Sequence, residues 1–194
     1  VARALATRSG NSVGLVLSDY TGSYFGILLK QASVSADKMG KQLLIADGHN
    51  QAESELEAVH SLVEKKCDVI VLYSRMLSGE LVIALNKSID IPLVNVGRIL
   101  PAEAGYSIAF DQKNAVSLAF DHLVELGHRD ITYIVPAPTT PTSISRSEGF
   151  ALAKNKHQNL TISSRRCDCS FGYIEGYDAG KKLLESGEYG SALL

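Results

Sequence analysis

Short β-branched runs alternate with amphipathic stretches along the whole chain, and this alternation restricts the fold more than any single motif does. Gly14-Leu-Val-Leu17, Gln42-Leu-Leu-Ile-Ala46, Asp68-Val-Ile-Val-Leu-Tyr73 and Ile91-Pro-Leu-Val-Asn-Val96 read as strands. Between them, Tyr24–Met39, Ala52–Lys65 and Glu80–Ser88 read as helices, with Gly40 closing the first. Glu53, Glu55 and Glu57 fall near the positive end of the second helix, where acidic side chains are favourable. Strict β-α-β alternation implies a parallel sheet with right-handed crossovers.

After a short piece, Tyr106–Phe110, the pattern restarts. From Asp111, the residues Ala115, Leu118, Ala119, His122, Leu123 and Leu126 recur at helical spacing as one apolar stripe, and Gly127 ends it. Ile131-Thr-Tyr-Ile-Val135 reads as a strand buried on both faces. Pro136, Pro138 and Pro141 mark a rigid polar loop. A helix over Ser145–Lys154, a strand over Thr161–Cys167 and a helix over Tyr173–Ser186 follow. Ser191-Ala-Leu-Leu194 opens another strand. The expected fold is therefore α/β with two lobes, 11–108 and 109–194, each a parallel sheet flanked by helices. In open parallel sheets ligands bind beyond the carboxyl ends of the strands. The loops there, expected to line a cleft between the lobes, hold residues 18–24, 47–50, 73–75, 97–98 and 139–146. Arg146 thus falls where a ligand would sit, although position alone suits a solvated surface arginine equally.

The chain's 194 residues suffice for one large domain or two small ones, and its net charge of −2 shows no basic excess for nucleic acid. No apolar run approaches the roughly 20 residues that span a bilayer, and Val1–Ser12 lacks the apolar core of a secretory signal. Cys67, Cys167 and Cys169 are an odd number, read as reduced thiols in a reducing, cytoplasmic compartment. His157 alone near two of them is a poor start for a metal site. There is no Gly-x-Ser-x-Gly elbow, Walker loop, His-Glu-x-x-His or Gly-x-Gly-x-x-Gly turn. Asp19, Asp47 and Asp111 lack a partner histidine or metal ligand and read as hydrogen-bond acceptors or caps. The expectation is a binding protein without cofactor or metal, not an enzyme.

Val13-Gly-Leu-Val-Leu17, Cys67-Asp-Val-Ile-Val71, His122–Ile131 with its Leu-Gly-His-Arg run, and Pro141-Thr-Ser-Ile-Ser-Arg-Ser-Glu-Gly-Phe150 resemble the effector-binding core of the LacI/GalR family of bacterial transcription repressors. Gln42–Gly48 and Pro141–Ile144 look most like regulators of β-glucoside operons. The resemblance implies a periplasmic-binding-protein-like fold, a sugar or β-glucoside effector, a homodimer, and operator DNA bound through a helix-turn-helix absent from this sequence. Residues 1–10 resemble the end of the family's hinge helix and its linker. Leu5 matches the leucine that wedges into the minor groove at the operator centre; an exposed leucine at a frayed end is an equally available account.

For the sugar site, Arg146 matches the arginine whose fork holds sugar hydroxyls, and Phe171 the aromatic that stacks on the ring; a core phenylalanine is the alternative. Tyr24 and Phe25 match the aromatic pair opening the first helix. Gly97-Arg98 stands where the family usually has Asn-Arg or Asp-Arg, so Arg98 is carried over and one polar contact is lost. Asp111 matches a polar residue at the crossover between lobes, where a structural role is as well founded as ligand contact. The family continues beyond Leu194 with an Asn-Asp turn and the completion of both lobes, so the resemblance implies a truncated second lobe. A periplasmic sugar-binding protein of a transporter shares the fold and is the alternative function. The hinge-like start, the free cysteines and the lack of a signal favour the repressor.

Overall fold

The computed structural model describes residues 10–18, 20 and 22–194. Leu5 and Asp19 lie outside them. The chain divides into two compact units, the first ending at Phe110 and the second running from Asp111 to Leu194.

In the first unit, strands β1 (Ser12–Leu17), β2 (Gln42–Asp47), β3 (Val69–Tyr73), β4 (Leu93–Val96) and β5 (Tyr106–Ile108) form one sheet in the order β2-β1-β3-β4-β5. Every pairing is parallel. Helices α1 (Gly22–Lys38), α2 (Ala52–Glu64) and α3 (Gly79–Ser88) make the crossovers, as alternation with short connections requires. Val16, Ile70 and Leu72 from the central strands meet Val59 and Leu62 of α2 and Val82 and Leu85 of α3 in one core. Cys67 is buried there as a small apolar residue.

In the second unit, β6 (Asp130–Val135), β7 (Ser163–Asp168) and β8 (Ala192–Leu193) form a parallel sheet in the order β7-β6-β8. Helices α4 (Gln112–Glu125), α5 (Pro141–Lys156) and α6 (Tyr173–Ser186) accompany it. Phe120, Val124, Ile131 and Ala153 form the core, with Phe150 packed against it.

Two local expectations fail here. The stripe through Leu118 and Leu126 is not the buried face of α4: these side chains are 60% and 62% exposed, while Phe120 and Val124 are buried. Apolar residues recur on both sides of this helix, and the side holding the large Phe120 ring removes more area from water. The polar loop also ends sooner than expected. Thr140 caps α5 by accepting from the Ser143 N–H while the Ser143 hydroxyl accepts from the Thr140 N–H. Pro141 then occupies the first helical position, where its missing N–H is harmless. The third proline therefore starts the helix instead of prolonging the loop.

Candidate functional site

The carboxyl ends of β1 and β3 are held together by one buried carboxylate. Glu55 on α2 is 0% exposed. Its Oε1 accepts from the Ser18 hydroxyl at 2.7 Å, the Arg75 N–H at 3.0 Å and the Met76 N–H at 3.2 Å. Its Oε2 accepts from the Ser74 hydroxyl at 2.5 Å and the Leu77 N–H at 3.3 Å. Ser18 follows β1, and Ser74 to Leu77 follow β3, so one side chain fixes both loops. Gly48, after β2, packs so closely that a Cβ there would meet Glu55 Cγ at 2.7 Å and Ser18 Oγ at 2.8 Å.

Arg98, just past β4, joins the same arrangement. Its Nη2 donates to the Leu77 carbonyl, and its own carbonyl accepts from Asn95 Nδ2 at 2.6 Å. Burial lowers the Arg98 pKa, and the charge of Glu55 pulls it back up. The guanidinium thus faces into the loop framework. Three rings also cluster at this end of the sheet. Tyr24 and Phe25 meet edge to face at 5.1 Å, and Phe25 meets Tyr73 at 5.2 Å. Gly97 adopts φ 101°, where a side chain would be strained, and a Cβ there would touch the Tyr73 ring at an ordinary 3.7 Å. Tyr24 is 46% exposed, so this aromatic group reaches the surface at the carboxyl end of the sheet.

In the second unit the corresponding end of the sheet gathers polar groups from β6, β7, α4 and α5. Arg146, in the second turn of α5, donates from Nε to Gln112 Oε1 at 2.8 Å. Its two terminal nitrogens make no hydrogen bond among the described residues. Asp111 caps α4, its Oδ1 accepting from the Asn114 N–H at 2.9 Å. Arg166 on β7 donates to the Pro136 carbonyl at 2.8 Å and the Ser147 hydroxyl at 3.2 Å, and pairs with Asp168. Phe171 is 38% exposed in the loop after β7. Among the described residues no three His, Cys, Asp or Glu side chains are grouped so as to hold a metal. No helix among them is long and apolar enough to cross a membrane.

Residues 10–187 match the family of periplasmic binding proteins and sugar-binding domains of the LacI family. The chain belongs to this family. It is 31% identical over 196 residues to the HTH-type transcriptional regulator AscG of Escherichia coli strain K12, taking in 100% of this chain and 58% of AscG. It is 31% identical over 156 residues to the regulator GalR of Salmonella typhimurium strain LT2, covering 79% of this chain and 45% of GalR. A sugar-binding transcriptional regulator of the LacI family from Escherichia coli, crystallised with phosphate, superposes with a TM-score of 0.77 at 31% identity, over 95% of this chain and 67% of that one. The chain spans about half the length of the curated relatives it matches.

Within this LacI-family framework, Tyr24, Phe25 and Arg98 share the carboxyl end of the first sheet, while Asp111, Arg146 and Phe171 belong to the second unit. Glu55 was not foreseen as part of the arrangement, and Tyr73 was expected in a cleft-lining loop but not singled out as a contact. The signal for Glu55 was available: it lies on the stripe of Ala58, Val59 and Leu62, and a carboxylate on an apolar stripe needs partners inside. Tyr73 carried no such mark, since a strand-ending tyrosine suits many environments.

Proposed function

We propose that this chain is the effector-binding part of a cytoplasmic, sugar-responsive transcription repressor that acts as a homodimer. In this reading it binds and does no catalysis, and the ligand is a sugar or β-glucoside. Operator DNA would be reached through a helix-turn-helix of the kind that AscG and GalR are named for, with Leu5 as the minor-groove wedge. These regulators favour the repressor over the transporter-linked binding protein. Arg146 carries the proposal for the ligand site. Its Nε is anchored on Gln112 while the terminal nitrogens are uncommitted, the state a sugar-holding fork requires. Phe171 offers an apolar platform in the same unit, Tyr24 and Phe25 do so in the first, and Arg98 and Asp111 hold loop and helix in place.

The test is calorimetric titration of the protein with cellobiose, arbutin and salicin. Arg146→Ala should weaken binding by about 1.5–3 kcal/mol, the range for hydrogen bonds to charged groups. Undiminished affinity in this variant would remove Arg146 from the site.

A further inference from the structure

In the second unit Tyr133 has a hydrogen-bonding capacity that the fold does not use. It lies on β6, 5% exposed, with its ring stacked on Phe150 at 4.4 Å and an interplanar angle of 2°. Phe150 is on α5, and Arg146 precedes it by four residues, one turn away on the same helix face. On the neighbouring strand, Arg166 is the register partner of Tyr133, so both side chains leave the same face of the sheet. The bond from Arg166 to Ser147, at 3.2 Å, ties that arginine to the same turn of α5. The Tyr133 hydroxyl is shut off from water and has no hydrogen-bond partner among the described residues. Burial raises its pKa, and the nearby charges of Arg146 and Arg166 counter that rise.

The surroundings of this hydroxyl are rich in donors. A guanidinium has N–H groups and no acceptor. It can donate to the phenol oxygen, but it cannot receive the phenol proton. The missing partner is therefore an acceptor. A neutral hydroxyl can accept from the phenol but brings no charge to answer the guanidinium of Arg146. A phosphate or carboxylate brings several acceptor oxygens and no donor, and its charge suits Arg146. Asp168 already pairs with Arg166, so that arginine supplies only part of its charge.

We propose that Arg146, Arg166 and the Tyr133 hydroxyl form an anion subsite at the carboxyl end of the second sheet, taking a phosphate or carboxylate carried by the effector. This rests on the sugar-binding reading for the remainder of the ligand. The anion enters from the exposed Arg166 side, and Arg146 swings over it as the hydroxyl gains its acceptor.

Calorimetric titration of the protein with glucose, glucose 6-phosphate, glucuronate and inorganic phosphate tests the subsite, beside Tyr133→Phe and thermal melts. The anionic sugar should bind at least tenfold tighter than glucose. Tyr133→Phe should remove most of that ratio and leave the melting temperature equal or higher, since it deletes an unpaired hydroxyl and keeps the stacked ring. The glucose 6-phosphate and glucuronate arms separate phosphate from carboxylate. Equal affinity for charged and neutral sugars in the parent would overturn the proposal, as would an undiminished ratio in Tyr133→Phe. If no sugar binds but inorganic phosphate does, with loss in Tyr133→Phe, the subsite stands and the sugar reading falls. Binding of phosphate that ignores Tyr133→Phe, or no binding of any anion, overturns the subsite itself.

Discussion

Removing the Glu55 carboxylate should loosen the whole carboxyl end of the first sheet. Alanine at this position takes away the acceptor of two hydroxyls and three backbone N–H groups. The serine hydroxyls can turn to other partners, and Leu77 N–H keeps a second acceptor in Ser74 Oγ at 3.1 Å. The part-buried Arg75 and Met76 N–H groups lose their carboxylate, at up to about 1–3 kcal/mol each and less where water replaces it. The vacated space and the unbalanced Arg98 charge bring Glu55→Ala to about 3–5 kcal/mol, the usual result of removing one partner from a buried charged network. Glu55→Gln keeps the shape but turns one acceptor into a donor facing Leu77 N–H and Ser74. Its cost should be about 1.5–3 kcal/mol. Urea unfolding followed by circular dichroism gives the two magnitudes and their order. Amide exchange at Arg75, Met76 and Leu77 locates the damage, since these N–H groups should lose protection before the strands do. If both variants unfold within about 1 kcal/mol of the parent, the carboxylate does not organise these loops and the reasoning is wrong.

Three further outcomes are expected. Gly149→Ala would push a Cβ into the Lys113 backbone where α5 crosses α4, so it should destabilise by about 1–3 kcal/mol or more, the range for overpacking, read in the same urea melt. Burial raises the Asp121 pKa, but hydrogen bonds from Lys156 at 2.6 Å and His157 at 2.7 Å outweigh it and the net pKa is lowered. A folded pKa below the unfolded value of about 3.9 means the contribution is present above that pH and lost as pH falls through the folded value; Asp121→Asn should flatten the urea midpoint between about pH 5 and pH 2. Phe171→Ala should weaken sugar binding through lost apolar contact while thermal melts stay unchanged, and a collapsed melting temperature would make Phe171 a core residue.

The fold was legible because alternation is written in residues that must be buried. Ile70, Leu72 and Val16 have no other place to go than a sheet covered by helices, and each run of them is too short to be anything but a strand. Faces and boundaries were harder. On α4 two apolar stripes compete, and spacing alone does not weigh the Phe120 ring against Leu118 and Leu126. At Pro141 the residue that breaks a helix interior is also the one that best starts a helix, and only the Thr140–Ser143 pair decides between them.

The site shows a further limit of sequence reading. Arg98 and Arg146 look alike in the chain: each follows a strand, and each matches a ligand-holding arginine by resemblance. What separates them lies far away in sequence. Arg98 is claimed by the Leu77 carbonyl and by a carboxylate on α2, so its charge balances the loop framework. Arg146 meets the neutral amide of Gln112 through one nitrogen, so its charge has no counter-ion in that contact. A cation partly withdrawn from water without such a partner favours an electron-rich ligand, whereas a cation already balanced gains less from one. Under the proposed reading the two arginines divide the work: Arg98 makes its loops rigid, and Arg146 is the one left to take a ligand.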